Sequence, residues 1–146
     1  MLTYEQWDAI ADSYIPLLAL LCLLDLVIHI KSRGLKTSIK ILMATFVGVI
    51  FIYAMMFLDQ ALHIWPSFSV NSQVLDYSTH TALAWAFLVQ LMFINKTACY
   101  VSITSTVLYG LLMLFQNYHS LADIVTTTLA VLPILYMLHK KSRQAS

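Results

Sequence analysis

The chain has 146 residues, 60% hydrophobic and only 10% charged, with a net charge of +1. A soluble domain of this length carries about 25% charged residues, so lipid must solvate much of this surface. The near-neutral balance gives no reason to expect a nucleic-acid partner, and the length suits one domain, residues 1–146.

At the N-terminus Leu2, Tyr4, Trp7 and Ile10 alternate with Glu5, Asp8 and Asp12. This reads as an amphipathic segment lying in a membrane interface, anchored by Tyr4 and Trp7. No basic residue occurs among residues 1–13, which argues against a cleavable signal. Five apolar runs follow, at 14–30, 39–58, 81–95, 98–115 and 121–139. A spanning helix needs about 20 mostly apolar residues. The third run is the shortest, covering about 24 Å at the helical rise, and needs flanking residues to complete a crossing. The expected fold is therefore all-α: a polytopic integral membrane protein of about five transmembrane helices behind an N-terminal interfacial segment. Cys22 and Cys99 have neither metal-type nor redox spacing and read as packing residues.

Charge supplies the orientation. With five spans, the loop after the first, the loop after the third and the C-terminal tail share one face. They hold Lys31, Arg33, Lys36 and Lys40, then Lys96, then Lys140, Lys141 and Arg143, which are all eight basic residues. The other face holds Glu5, Asp8, Asp12, Asp59, Asp76 and Asp123. The positive-inside rule makes the basic face cytoplasmic, with the N-terminus and the His-bearing loops extracytoplasmic. The compact build suggests a bacterial inner membrane.

Ionisable groups at membrane depth are costly and each needs an account. Asp25 and His29 lie i, i+4 and can pair with each other or with Lys31; Gln90 reads as an interhelical hydrogen-bonding residue. Three of the five histidines collect on the outer face: His63 after the second run, His80 opening the third and His119 opening the fifth. A lone His at a helix end is ordinarily an interfacial hydrogen-bonded residue. Here Asp123 follows His119 by four, so on a helix the two share a face, and a carboxylate there can fix the imidazole tautomer. Thr126, Thr127 and Ala130 continue that face as a small or polar stripe. Asp76, Ser78 or Thr79 can cap the helix that His80 opens, and open N–H groups at such a start suit an anion such as phosphate.

Two segments resemble the paired motifs of the type 2 phosphatidic acid phosphatase superfamily, which includes lipid phosphatases and sphingomyelin synthases. Tyr77-Ser78-Thr79-His80-Thr81-Ala82 is similar to its Ser-Gly-His-Thr motif, with Thr79 in place of Gly. Asp76 before it is like the synthase branch. Tyr118-His119-Ser120-Leu121-Ala122-Asp123-Ile124-Val125 is similar to its His-x-x-x-Asp-Val motif. The likeness covers roughly residues 75–131. It implies a membrane lipid phosphatase or head-group phosphotransferase acting at the extracytoplasmic face on a lipid phosphate or phospholipid. His119 would be the nucleophile that forms a phosphohistidine, Asp123 would orient it, and His80 would protonate the leaving alcohol and then activate water or an acceptor hydroxyl. This two-step chemistry uses neither metal nor cofactor. The family's Arg-Pro position holds Trp65-Pro66, its Lys position falls at Leu58, and its third Arg falls near Met113. The remaining groups for phosphate binding are Tyr77, Ser78, Thr79, His63 and Asn117, with His63 held charged by Asp59 at i−4.

Two other readings stay open. His80, His119, Asp123 and His63 could ligate zinc in a membrane hydrolase. The missing Lys and Arg also fit a catalytically degenerate member that binds lipid. Few polar residues lie in the spans beyond this site, which argues against a transporter.

Overall fold

The computed structural model describes residues 3–70 and 73–144, the side chains of Tyr4, Val70 and Gln73 excepted. Every apolar run is helical, the third only as far as Met92. The helices are α1 (Tyr4–Arg33), α2 (Leu35–Leu62), α3 (Thr79–Met92), α4 (Lys96–Phe115) and α5 (Leu121–Gln144). Between α2 and α3 a two-residue antiparallel pair forms, β1 (Ser69–Val70) with β2 (Gln73–Val74). Helices α1, α2, α4 and α5 are long and apolar enough to cross a membrane, with mean hydropathy between 1.7 and 2.5 over their most apolar windows. That is the build of a multi-pass helical membrane protein.

One expectation is corrected. The N-terminal residues are not a separate interfacial segment but the first turns of α1, which continues through Pro16 to Arg33. The helix starts at Thr3, whose hydroxyl accepts the Gln6 N–H while the Gln6 side chain accepts the Thr3 N–H, a reciprocal cap that satisfies two otherwise open donors. Trp7 packs edge-on against Phe115 at the end of α4, with ring centroids 5.8 Å apart. Packing thus holds the segment on helical geometry. Leu2 and the Tyr4 side chain lie outside the described residues. At the other end, Gly34 (φ +80°) alone separates α1 from α2, and a side chain there would be strained.

Helix α3 is 14 residues long, about 21 Å at the helical rise, and is too short to span a hydrocarbon core of about 30 Å by itself. Its position explains how it is tolerated: it packs against α1, α2, α4 and α5. Ala82, Ala84, Ala86, Leu88, Val89 and Gln90 are all buried. The small residues let neighbours approach, the arrangement favoured where lipid supplies no hydrophobic drive between helices.

The other helices meet around it with the same logic. A Cβ on Gly48 of α2 would lie 2.8 Å from Leu135 Cδ2 of α5, so a larger residue at that crossing would have to displace the Leu135 side chain. Near the basic end, Gln90 ties three helices: the Thr45 hydroxyl donates to its Oε1 (2.7 Å) and its Nε2 donates to the Cys22 carbonyl (2.9 Å). Asp25 is buried beside it and pairs with both terminal nitrogens of Arg33, at 2.9 and 3.0 Å, rather than with Lys31. His29 Nδ1 lies 3.1 Å from the same carboxylate. Cys22 is buried and donates its thiol to the Phe87 carbonyl.

Candidate functional site

The site lies at the end of the bundle remote from the lysines, where α2 stops and α3 and α5 begin. Its framework is a strip of extended chain, residues 75–78, laid along the first turns of α5. The Asp76 N–H donates to Asp123 Oδ1 (2.7 Å) and the Ser78 N–H donates to Thr127 Oγ1 (3.0 Å). Two residues of extended chain advance about 6.6 Å, and four residues of helix advance about 6 Å. The two spacings match, so side chains one turn apart on α5 satisfy alternate N–H groups of the strip. N–H groups left without partners are costly, and those of Asp76 and Ser78 are both met.

Asp123 does more than hold the strip. Its Oδ2 accepts the Ser120 N–H (2.7 Å) and hydroxyl (2.8 Å), while the Ser120 hydroxyl accepts the Asp123 N–H (3.2 Å). This reciprocal pair starts α5 at Leu121, leaving His119 outside the helix. The i, i+4 helical geometry expected of His119 and Asp123 therefore does not form, because the carboxylate is committed to backbone donors. Neighbouring threonines are also engaged. Thr126 accepts the Trp65 indole N–H and Thr128 that of Trp85.

The carboxylate that faces His119 is Asp76, with Oδ2 3.8 Å from His119 Nδ1. That nitrogen is buried and has no hydrogen-bond partner. Burial holds the His119 pKa below the usual imidazole value, and nearby His80 pushes the same way; Asp76 and Asp123 oppose them. His119 is accordingly a neutral base at neutral pH. His80, the second residue of α3, is exposed and stacks on Tyr118 with centroids 6.3 Å apart. The Tyr118 hydroxyl donates to Asp8 of α1.

His80 and His119 line one cavity of about 280 Å³ together with Met56, Asp59, Gln60, Asp76, Tyr77 and Thr79. Of the residues expected to bind substrate, Tyr77 and Thr79 are in its wall. Ser78 is not: it is fully buried, and its hydroxyl caps α3 through Thr81. His63 is an exposed left-handed residue ending α2. It is not in the wall, and the Asp59 carboxylate expected to hold it accepts the Trp65 N–H instead, at 2.7 Å. Asn117, also at positive φ, turns the chain after α4 and lies outside the cavity. Tyr77 packs edge-on against Trp65, and burial together with the Asp59 charge raises its pKa, so its phenol stays protonated.

Sequence reasoning missed Gln60 and the role of Asp76 beside His119. No local spacing connects Asp76 to His119, so only the chain path could reveal the pair. Among the described residues no Lys or Arg lines the cavity. Among the described residues no three of His, Cys, Asp and Glu gather as a metal-binding group. The chain matches no family model, no curated protein and no solved structure.

Proposed function

We propose that this chain is a membrane lipid phosphatase or head-group phosphotransferase acting at the extracytoplasmic face through a phosphohistidine. The observation that carries the reading is the convergence of His80, at the start of α3, and His119, just before α5, on one cavity with Asp76 beside His119. Nucleophilic transfer needs a neutral imidazole next to a second acid–base group, and burial keeps His119 neutral.

His119 Nε2 attacks the lipid phosphorus while Nδ1 faces Asp76. The bond from phosphorus to the lipid alcohol breaks, and protonated His80 gives its proton to the departing oxygen. Water or an acceptor hydroxyl then loses a proton to His80 and attacks phosphorus, releasing His119. Asp76 takes the orienting role that the family resemblance gave to Asp123. Transition-state charge falls to the His80 imidazolium, the Thr79 hydroxyl and the Gln60 amide, since no Lys or Arg is among the described lining residues. The basic end, with α1, α2, α4 and α5 crossing and α3 completing a fifth passage inside them, faces the cytoplasm.

The test is lipid turnover in nanodiscs holding phospholipids and isoprenyl phosphates, followed by mass spectrometry, for wild type beside His119→Ala. Head-group loss or exchange by wild type alone, indifferent to chelator, supports the reading. Turnover by a folded His119→Ala protein sinks it. The absence of Lys and Arg among the described lining residues favours a second reading, a degenerate lipid-binding member, which predicts lipid retention with no turnover by either protein.

A further inference from the structure

Little holds the side chain of His80. It stands on the first turn of α3 and is exposed. Among the described residues no hydrogen bond reaches its ring, and its one ring contact is the Tyr118 phenol, inclined by 28° with centroids 6.3 Å apart. That separation lies within the range over which aromatic rings attract. Tyr118, in contrast, is fixed at both ends. Asn117 ends α4 in a left-handed turn, at φ +57°. The Tyr118 N–H then reaches back to the Met113 carbonyl and the Asn117 N–H to that of Leu114, both at 3.1 Å, the pair of bonds that closes a helix C-terminus. At its other end the phenol hydroxyl donates to Asp8 Oδ1 on α1. Trp7, beside Asp8, packs on Phe115, three residues before Tyr118.

We propose that Asp8 and Tyr118 are positioning residues for His80: the carboxylate on α1 holds the phenol, and the phenol face holds the imidazole at the cavity. The role of His80 rests on the phosphohistidine reading, but the contact itself is independent of turnover. Neither Asp8 nor Tyr118 lines the cavity, so both act through the imidazole and not on the lipid phosphate. An exposed imidazole samples several rotamers, and only some of them leave a nitrogen within reach of a departing oxygen. Stacking removes the others without occupying either ring nitrogen, so both stay open for proton transfer. It also gives α1 a part in the site: that helix supplies none of the described lining residues, yet it anchors one of the two imidazoles. Because Tyr118 directly precedes His119, one short turn carries both the nucleophile and the shelf for the acid.

The experiment pairs lipid turnover in nanodiscs with NMR of the full chain carrying isotope-labelled histidine, His80→Gln identifying the His80 signal. In wild type the Tyr118 ring should shield the His80 ring protons, and Tyr118→Leu should return them to the position of a free imidazole. Tyr118→Leu should also lower kcat up to about tenfold, the size of one aromatic contact, with KM unchanged. Tyr118→Phe and Asp8→Ala break the same hydrogen bond. Each should lower kcat about threefold, as for one exposed hydrogen bond, and the double variant no further. Asp8→Asn, which keeps an acceptor, should recover part of the loss. An unmoved His80 signal in Tyr118→Leu overturns the proposal whether or not the protein turns lipid over. So does wild-type kcat for Tyr118→Leu in an active protein, or losses that multiply in the double variant. No turnover by wild type, with the His80 signal displaced as expected, overturns the phosphohistidine reading and supports the clamp.

Discussion

The Asp123 carboxylate accepts the backbone N–H of Asp76 across the bundle at 2.7 Å while its other oxygen caps α5 through Ser120. One side chain therefore sets both the start of a helix and the path of the strip that carries Asp76 towards His119. The two acidic residues of the site have divided roles: Asp123 builds, and Asp76 faces the imidazole.

This division predicts a stability phenotype for Asp123. In Asp123→Ala two partly buried N–H groups and the Ser120 hydroxyl lose their acceptor, a loss of about 2 kcal/mol. Asp123→Asn keeps one carbonyl acceptor and should lose less. Thermal unfolding in detergent measures both; a cost near zero for the alanine variant would contradict the framework role.

Asp76 should behave differently. It is largely exposed, and its carboxylate meets His119 only at 3.8 Å. Asp76→Asn should leave thermal stability nearly unchanged and reduce turnover, with the pH dependence of turnover displaced to lower pH as the imidazole loses an anionic neighbour. A variant with wild-type turnover and profile would remove Asp76 from the mechanism.

Depression of the His119 pKa by burial also has a stability consequence. The unfolded chain binds this proton at the ordinary value of about 6.5, and the folded chain only at lower pH. The unfolded state thus holds more protons in that window, and stability falls as pH drops below about 6.5. His119→Gln should flatten this part of the curve of melting temperature against pH between about 7.5 and 5. Identical slopes for wild type and variant would contradict the buried neutral imidazole.

Gly48→Ala probes the crossing of α2 and α5. The new methyl group meets Leu135 Cδ2 at 2.8 Å inside a fully buried contact, and overpacking of this kind costs about 1–3 kcal/mol. Adding Leu135→Ala should recover part of the loss from Gly48→Ala, which a double-mutant cycle reads directly.

At the basic end, Asp25→Ala leaves Arg33 without its partner and should cost about 3–5 kcal/mol. The Asp25→Ala, Arg33→Ala double variant should lose less than the sum of the two single losses. Additive losses would show that the two-pronged contact carries no coupling.

Five helices, their order, the cation-poor site end and the lysine-rich end were all legible in the chain. Each rests on short-range properties: runs of apolar residues near the length of a bilayer, and charges clustered at their ends. Gln90 and Asp25 were legible as residues needing partners, because a polar group in an apolar run must find one. Tertiary structure alone decided which partners they found. It turned the N-terminal segment into the first turns of α1 through Thr3, Gln6 and Trp7, and it placed the short α3 inside the other four helices. It also drew Asp123 away from His119. The i, i+4 spacing assumed a helix through His119, but the low-dielectric interior had to satisfy the N–H groups of residues 76, 78 and 120. Those donors arrive from the neighbouring turn and from an extended strip distant in sequence. Spacing along one helix carries no information about which backbone will lie against it, so the carboxylate beside His119 became visible only once the chain had folded.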